Sequence, residues 1–244
     1  MNPFEPTTPK PVAVHAQQLP VPCRVAELAP LGHDLVQPVH AMQLLVQQLA
    51  SLPAGASSDD SLAQLQGVSD TITSMFRNLL DYARLDAGAI TPQAVALRVG
   101  PLVSRVMSDH ARRHQGKDLR CGLIGDTAVA TLADPTLLDR IIDQLLDNAF
   151  KYTPSGHILV RCRHEGAFLH LEVLDSGIGL GDCELGQAQR AFFRGASARA
   201  LGVDGIGLGL TNATWMAQLM GGDIVLGSER GQGSRAELTL PMAA

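Results

Sequence analysis

The sequence lacks the patterns that mark several common protein classes. Its four cysteines, Cys23, Cys121, Cys162 and Cys183, show neither CxxC nor Cys/His ligand spacing, so neither a disulfide framework nor a zinc site is indicated. There is no long run of Lys and Arg and the formal net charge is -5, which argues against nucleic acid or an anionic membrane as the main partner. No apolar run approaches the roughly 18 to 20 residues that cross a bilayer, and the N-terminus has no signal pattern. We therefore expect a cytoplasmic protein with no direct membrane insertion.

Proline is concentrated at the start of the chain, where residues 1–27 lack any periodicity and are interpreted as a linker or extended arm. From residue 28 onwards, apolar residues recur at steps of three and four. The stretch LPAGASSDD interrupts this pattern, and a second stripe ends near residue 88; its members are Leu65, Val68, Ile72, Met75, Leu79 and Tyr82. The pattern predicts a helical hairpin over 28–88. Because each stripe is too broad for one partner helix to cover, we expect a homodimer packed as a four-helix bundle.

The segment HDLVQPVH, residues 33–40, lies on the first predicted helix. Relative to the apolar stripe, His33 takes the most solvent-facing position, Asp34 follows it, and Gln37 lies one turn later. Alone, such a pair is most simply a solvated surface couple. Pro38 removes the N–H that would bond to the carbonyl of Asp34 and crowds that carbonyl, so we expect the helix to loosen or bend just after the histidine.

The rest of the chain alternates strand-like and helical patterns. We expect strands at AVALRV and around 118–124, 128–132, 157–164 and 167–174, with helices from Pro101 to His114, from about Asp134 to Tyr152 and from about Leu208 to Met220. Asp134 is a good N-cap because Pro135 then takes the first helical position.

Several short motifs in this region have two interpretations each. The stretch GIGLGL, residues 205–210, fits neither the dinucleotide fingerprint nor the P-loop, but glycine-rich backbone that leads into a helix suits a polyphosphate. Asp175 is either a turn residue or an acceptor for the exocyclic amine of adenine, and Asn148 is either a capping amide or an oxygen ligand for Mg²⁺. Lys151 is either an exposed surface charge or a phosphate contact. Tyr152 is either a residue at the rim of the core or a neighbour of adenine.

Taken in order, the motifs resemble those of the two-component sensor histidine kinases. HDLVQPVH is similar to the phosphoacceptor box, QLLDNAFKYT to the N box, AFF to the F box, and DSGIGL, GIGLGL and GQGS to the three glycine boxes. The resemblance implies a dimerisation and phosphotransfer hairpin over 28–88. It also implies an ATP-binding domain over 95–244, an α/β two-layer sandwich of the Bergerat/GHKL type with helices on one face of a mixed sheet. The HDLxQP form resembles the hybrid-kinase branch.

The resemblance also implies the site, in which ATP and Mg²⁺ bind and His33 receives the γ-phosphoryl group. Asp34 would accept a proton from the ring, Gln37 would position water for a phosphatase reaction, and residues 195–204 would form a mobile lid. A receiver domain of a response regulator would be the partner. The residues implied to hold ATP are Asn148, which is also the metal ligand, and Lys151, Tyr152, Asp175, Gly177, Gly179, Phe193, Gly205, Gly207, Gly209 and Gly233.

The sequence departs from the family pattern at two positions. Val36 stands where a basic residue is common, which weakens any phosphate contact from that position. Gln144 stands where related water-hydrolysing ATPases have a glutamate, and an amide does not take up a proton as a carboxylate does. We therefore favour a histidine autokinase over a phosphotransfer or phosphatase adaptor that binds ATP without autokinase activity, and over a chaperone-like or topoisomerase-like ATPase.

Overall fold

The computed structural model describes residues 31–50, 59–200 and 205–243, so the predicted arm over 1–27 lies outside the described residues. Helix α1 (Leu31–Ala50) and helix α2 (Asp59–Asp86) lie against each other in the predicted hairpin region. Helix α1 continues through Pro38, whose side chain is buried. Neither these helices nor the others within the described ranges are long and apolar enough to span a bilayer.

The C-terminal part of the second apolar stripe is buried against the following domain as well as in the hairpin. The prediction that the whole stripe forms the core of a helical bundle is therefore wrong at this end. Met75 and Tyr82 are 3% and 5% exposed. They pack against Trp215 and against Ile206 and Leu208 of the glycine-rich segment, all of which belong to the following domain. The sequence periodicity identified these residues as buried but contained no information on which surface covers them.

The following domain contains seven strands and five helices within the described residues. They are β1 (Val95–Arg98), α3 (Val99–Arg113), β2 (Leu119–Gly125), β3 (Ala130–Ala133), α4 (Pro135–Tyr152), β4 (Gly156–Glu165), β5 (Phe168–Asp175), α5 (Asp182–Leu185), α6 (Ala196–Ala200), α7 (Gly209–Leu219), β6 (Asp223–Glu229) and β7 (Gly233–Pro241). Strands β6 and β7, which follow α7, were not predicted from the sequence. Residues 201–204 of the predicted lid lie outside the described residues.

A five-stranded mixed sheet in the order β2-β4-β5-β7-β6 forms one layer of this domain. The pair β2 and β4 is parallel, and all other neighbours are antiparallel. Helices α3, α4 and α7 form the second layer, and their apolar faces meet inward-facing side chains of β4, β5 and β7 in a single buried cluster. This is the two-layer α/β sandwich that the family resemblance implied.

Helix α4 is fixed at both ends, which determines where its side chains lie. The Asp134 carboxylate accepts hydrogen bonds from the backbone N–H groups of Thr136 (2.8 Å) and Leu137 (3.1 Å), so the predicted N-cap is confirmed. At the other end, the Lys117 ammonium donates to the carbonyl oxygens of Lys151 (3.5 Å) and Thr153 (3.3 Å). The last turns of α4, which contain the N-box residues, are therefore held in place relative to the sheet.

Candidate nucleotide-binding site

A cavity opens between the C-terminal half of α4, the end of β5 and the glycine-rich segment that leads into α7. Most residues that the sequence predicted to hold ATP line it. They are Asn148, Lys151, Tyr152, Asp175, Gly179, Phe193, Gly205, Gly207 and Gly209. Segments that are far apart in the sequence therefore meet around one cavity.

Asp175, the last residue of β5, lines the cavity together with the apolar residues Val173 and Ile178. Its Oδ1 atom accepts hydrogen bonds from the backbone N–H of Gly177 (2.8 Å) and of Ser234 (3.2 Å). Burial raises the pKa of this carboxyl to about 6, although the two backbone donors act in the opposite direction. The arrangement is a rigidly held acceptor in an apolar pocket, which is the environment that suits the amine of a planar base.

Gly177 and Gly233, both predicted as ATP-binding residues, are not among the wall residues of the cavity. They act on Asp175 instead. Gly177 donates to its carboxylate, and a Cβ atom at Gly233, whose φ is +96°, would lie 1.9 Å from the Asp175 carbonyl oxygen. The first and third glycine boxes therefore allow the backbone to pack tightly around this carboxylate.

One face of α4 supplies the polar side of the cavity. Gln144, Asp147, Asn148 and Lys151 all line it, as their helical spacing requires. The Lys151 ammonium lies 2.6 Å from Asp147 Oδ2. Burial raises the pKa of the neighbouring Tyr152 phenol, and the positive charges of Lys151 and Arg194 act against this rise. Both cations line the same cavity as Tyr152.

The glycine-rich wall is built by Gly205, Gly207 and Gly209 ahead of and at the start of α7. A Cβ atom at Gly209 would lie 2.1 Å from Gln144 Oε1, so only glycine lets α7 begin this close to α4. The free backbone N–H groups at the start of α7, and the positive end of its dipole, lie at the cavity. This wall is suited to an anionic group of a ligand.

The sequence did not identify five polar residues of the cavity wall as site residues: Asn78, Gln144, Asp147, Arg194 and Ser234. The helical spacing around Asn148 was a usable signal for Gln144 and Asp147. No such signal existed for Asn78, because it lies on α2 and reaches the cavity only through packing between the hairpin and the following domain.

Three further contacts hold the hairpin against this domain. The Asn212 side-chain amide on α7 donates to the carbonyl oxygen of Asn78 (2.8 Å). The buried Asp81 carboxylate pairs with Arg140 of α4. The Tyr82 ring lies between Phe192 and Trp215, with centroid distances of 5.4 and 5.3 Å. The end of α2 is thus part of the environment of the cavity.

The predicted acceptor residues lie on α1. The backbone of His33 and Asp34 is helical, and their side chains lie outside what the structure describes; Gln37 is exposed one turn later. His33 on α1 and the Met75–Tyr82 segment on α2 are separated from residues 51–58 by similar numbers of residues. On two antiparallel helices they therefore lie at similar heights.

Residues 133–244 match the family model described as histidine kinase-, DNA gyrase B-, and HSP90-like ATPase. The match covers a little under half of the chain and indicates an ATPase-type domain in this segment. Among solved structures, the chain is similar to full-length ShkA in complex with AMPPNP, with a TM-score of 0.65 and 24% identity over 91% of this chain and 47% of that one. It is also similar to the Acinetobacter baumannii histidine kinase AdeS, with a TM-score of 0.65 and 16% identity over 87% of this chain and 98% of that one. At these identities the likeness shows the fold.

Curated relatives extend the similarity to almost the whole chain. The sensor protein TorS of Escherichia coli is 28% identical over 89% of this chain and 24% of its own length. The sensor-like histidine kinase SenX3 of Mycobacterium bovis is 30% identical over 88% of this chain and 53% of its own length. The chain thus spans between about a quarter and about half of the length of these relatives. One of these relatives is named as a sensor protein and the other as a sensor-like histidine kinase.

Proposed function

We propose that this chain is an ATP-dependent histidine autokinase of two-component signal transduction that phosphorylates its own His33. The observation that carries the proposal is the cavity itself. A half-buried carboxylate, a glycine-rich wall and two cations surround one space, and Asn78 of the hairpin helix α2 forms part of its wall. The hairpin that carries His33 and the candidate ATP site are therefore in direct contact.

ATP suits the residues that line the cavity. Asp175 would accept a hydrogen bond from the exocyclic amine of adenine, with Tyr152 beside the ring. Lys151, Arg194 and the backbone N–H groups around Gly207 would face the phosphates, since both positive charge and helix N-termini favour anions.

Mg²⁺ also suits this site, since the ion is commonly held by one or two protein oxygens together with the phosphates of a nucleotide. Within the described ranges, no group of three or more His, Cys, Asp or Glu side chains is placed to hold a metal ion. Asn148 would supply an amide oxygen from the cavity wall. Bound there, the ion would neutralise charge on the phosphates during transfer.

His33 would be the nucleophile. A ring nitrogen of the neutral imidazole attacks the γ-phosphorus in line, the bond to the bridging β–γ oxygen breaks, and ADP leaves with that electron pair. Asp34 would hold the ring and accept the proton of the other nitrogen. The phosphoryl group would then pass to an aspartate of a response regulator receiver domain. Gln37 would position water for the opposing phosphatase reaction, in which water attacks the phosphoryl group of the regulator, the aspartate leaves as a carboxylate and orthophosphate is released.

Exposed apolar side chains on the hairpin support the proposed homodimer. Val36, Leu44 and Val46 on α1 are 49%, 66% and 51% exposed, and Phe76 and Leu80 on α2 are 51% and 57% exposed in the single chain. Burial against a second hairpin would remove this surface from water and complete a four-helix bundle.

An assay of two products distinguishes the proposed autokinase from a water-hydrolysing ATPase and from an adaptor that binds ATP without autokinase activity. The purified chain is incubated with γ-labelled ATP and Mg²⁺, and the label on protein and in free orthophosphate is measured at early times. The autokinase predicts label on the protein before orthophosphate appears. Orthophosphate without protein-bound label would instead identify a hydrolysing ATPase, and ATP binding with neither product would identify an adaptor.

Asp34→Asn tests the proposed proton acceptor. The amide keeps the shape and loses the charge, so autophosphorylation should slow by roughly 10² to 10⁴-fold without a change in the labelled residue. Initial labelling rates at saturating ATP provide the measurement. A wild-type rate in this variant would show that Asp34 takes no proton.

Asn148→Ala tests the proposed metal ligand. Loss of the amide oxygen should remove most of the gain in ATP affinity that Mg²⁺ provides and slow phosphoryl transfer by about 100-fold or more. ATP affinity is titrated with and without Mg²⁺. Asn148→Asp, which retains an oxygen ligand, is the matched control and should keep the Mg²⁺ dependence; equal Mg²⁺ dependence in Asn148→Ala would contradict the metal role.

A further inference from the structure

Glu184, on the short helix α5, joins two walls of the cavity although it does not line the cavity itself. Its Oε1 atom accepts a hydrogen bond from the backbone N–H of Ala196 (2.8 Å), the first residue of α6. Its Oε2 atom accepts from the N–H of Gly181 (3.4 Å), directly ahead of α5. The carboxylate therefore connects the segment that follows Asp175 with the segment that follows Arg194.

Arg230, in the turn between β6 and β7, completes this connection. One guanidinium nitrogen lies 3.3 Å from Glu184 Oε2 and donates to the Ser197 hydroxyl (3.2 Å). The Glu184 side chain is only 15% exposed, whereas that of Arg230 is 65% exposed. Burial raises the pKa of Glu184, but the backbone donors of Gly181 and Ala196 and the charge of Arg230 outweigh it, so its pKa lies below the usual value.

The residues next to this connection form the wall of the cavity that carries Arg194. Arg194, Gly195 and Ala198 all line the cavity. A Cβ atom at Gly195 would lie 2.8 Å from Glu184 Oε1, so the backbone there rests directly on the carboxylate. Movement of Ala196 away from Glu184 would therefore move Arg194 and Gly195 as well.

We propose that Glu184 is a positioning residue that holds the Arg194–Ala198 segment in place against the phosphate groups of the bound nucleotide. This rests on the proposed ATP binding. The backbone N–H of Phe192 donates to the carbonyl oxygen of Gly207 (2.9 Å), which places the segment directly ahead of Arg194 against the glycine-rich wall. Glu184 thus affects the phosphate end of the cavity, and the base end depends on Asp175.

The test compares two ligands that differ only in their phosphates. In Glu184→Ala, affinity for a non-hydrolysable ATP analogue should fall about tenfold, because charge-assisted hydrogen bonds that hold the wall are lost. Affinity for adenosine should stay within about twofold of wild type. Glu184→Gln, whose amide oxygen still accepts from Ala196, should recover most of the lost affinity. Glu165→Ala, at an exposed ion pair of β4, is the control and should match wild type for both ligands.

A double-mutant cycle shows whether Glu184 acts through Arg194. The Arg194→Ala substitution should cost much less in the Glu184→Ala background than in wild type, because the guanidinium is already displaced there. Fully additive losses would overturn the proposal, as would equal losses of analogue and adenosine affinity, or wild-type analogue affinity in Glu184→Ala. If wild type itself binds neither ligand, the proposed function fails first, and the two failures are thereby distinguished.

Discussion

The Asp175→Asn variant should bind ATP at least 100-fold more weakly than wild type and yet unfold less readily at neutral pH. The amide oxygen can still accept the hydrogen bonds from Gly177 and Ser234, but its NH₂ group would face the adenine amine, donor against donor. A buried unpaired donor costs several-fold to a hundredfold or more in affinity. Nucleotide titration and denaturant unfolding of the same samples measure the two effects.

The gain in stability follows from the pKa of Asp175, which is raised from 3.8 to about 6 in the folded chain. Because the folded carboxyl binds its proton more tightly than the unfolded one, wild-type stability is lost as pH rises from about 4 to about 6. Asn cannot ionise and escapes this loss, so its free energy of unfolding at pH 7 should be higher by up to about 3 kcal/mol. The difference between the two proteins should disappear only below about pH 4, where the carboxyl is protonated in both the folded and the unfolded chain.

Asp118→Asn is the matched control for this prediction. Asp118 is an exposed carboxylate of the same domain and does not line the cavity, so its substitution should change neither ATP affinity nor stability by a measurable amount. Wild-type ATP affinity in Asp175→Asn would remove Asp175 from the nucleotide site. Unchanged stability between pH 4 and pH 7 would instead show that burial does not penalise its charge.

The His33→Ala variant should lose phosphorylation entirely while its ATP affinity stays within about twofold of wild type. The acceptor lies on α1, and none of the described residues of the cavity wall belongs to that helix. Labelling from γ-labelled ATP and nucleotide titration are compared on the same preparation. His40→Ala is a close control, because this exposed histidine lies two turns along the same helix, and it should label like wild type. Label in His33→Ala but not in His40→Ala would reverse the assignment.

The features that could be predicted from the sequence are those determined by residues close together in the chain. The N-cap at Asp134 and the face of α4 with Asn148 and Lys151 follow from capping chemistry and helical spacing, both of which operate within a few residues. The glycine-rich wall was also recognisable, from its run of glycines. The structure shows why one of them is needed, since a side chain at Gly209 would clash with α4. The structure brings these residues together around one cavity, and their roles there stay a prediction.

Parts that depend on contacts between distant segments were missed or misinterpreted. Met75 and Tyr82 carry the periodicity of a bundle core, but the surface that buries them belongs to the following domain. Asn78 carries no local signal for a cavity residue, and Glu184 reads as an ordinary first-turn acid of a short helix. Strands β6 and β7 pair with each other and complete the sheet. Of this region, only the GQGS motif between them was identified from the sequence. The periodicity of apolar residues indicates which side chains are buried, but it does not indicate which surface buries them.

The most direct test of the account is the chemical identity of the phosphorylated residue in the wild-type chain. After incubation with γ-labelled ATP and Mg²⁺, the protein is divided between alkali and acid, and the surviving label is assigned to a peptide by mass spectrometry. Phosphorylation of His33 predicts label that survives alkali, is lost in acid, and lies on the peptide that contains His33. Acid-stable label, or alkali-stable label on a peptide that lacks His33, would contradict it.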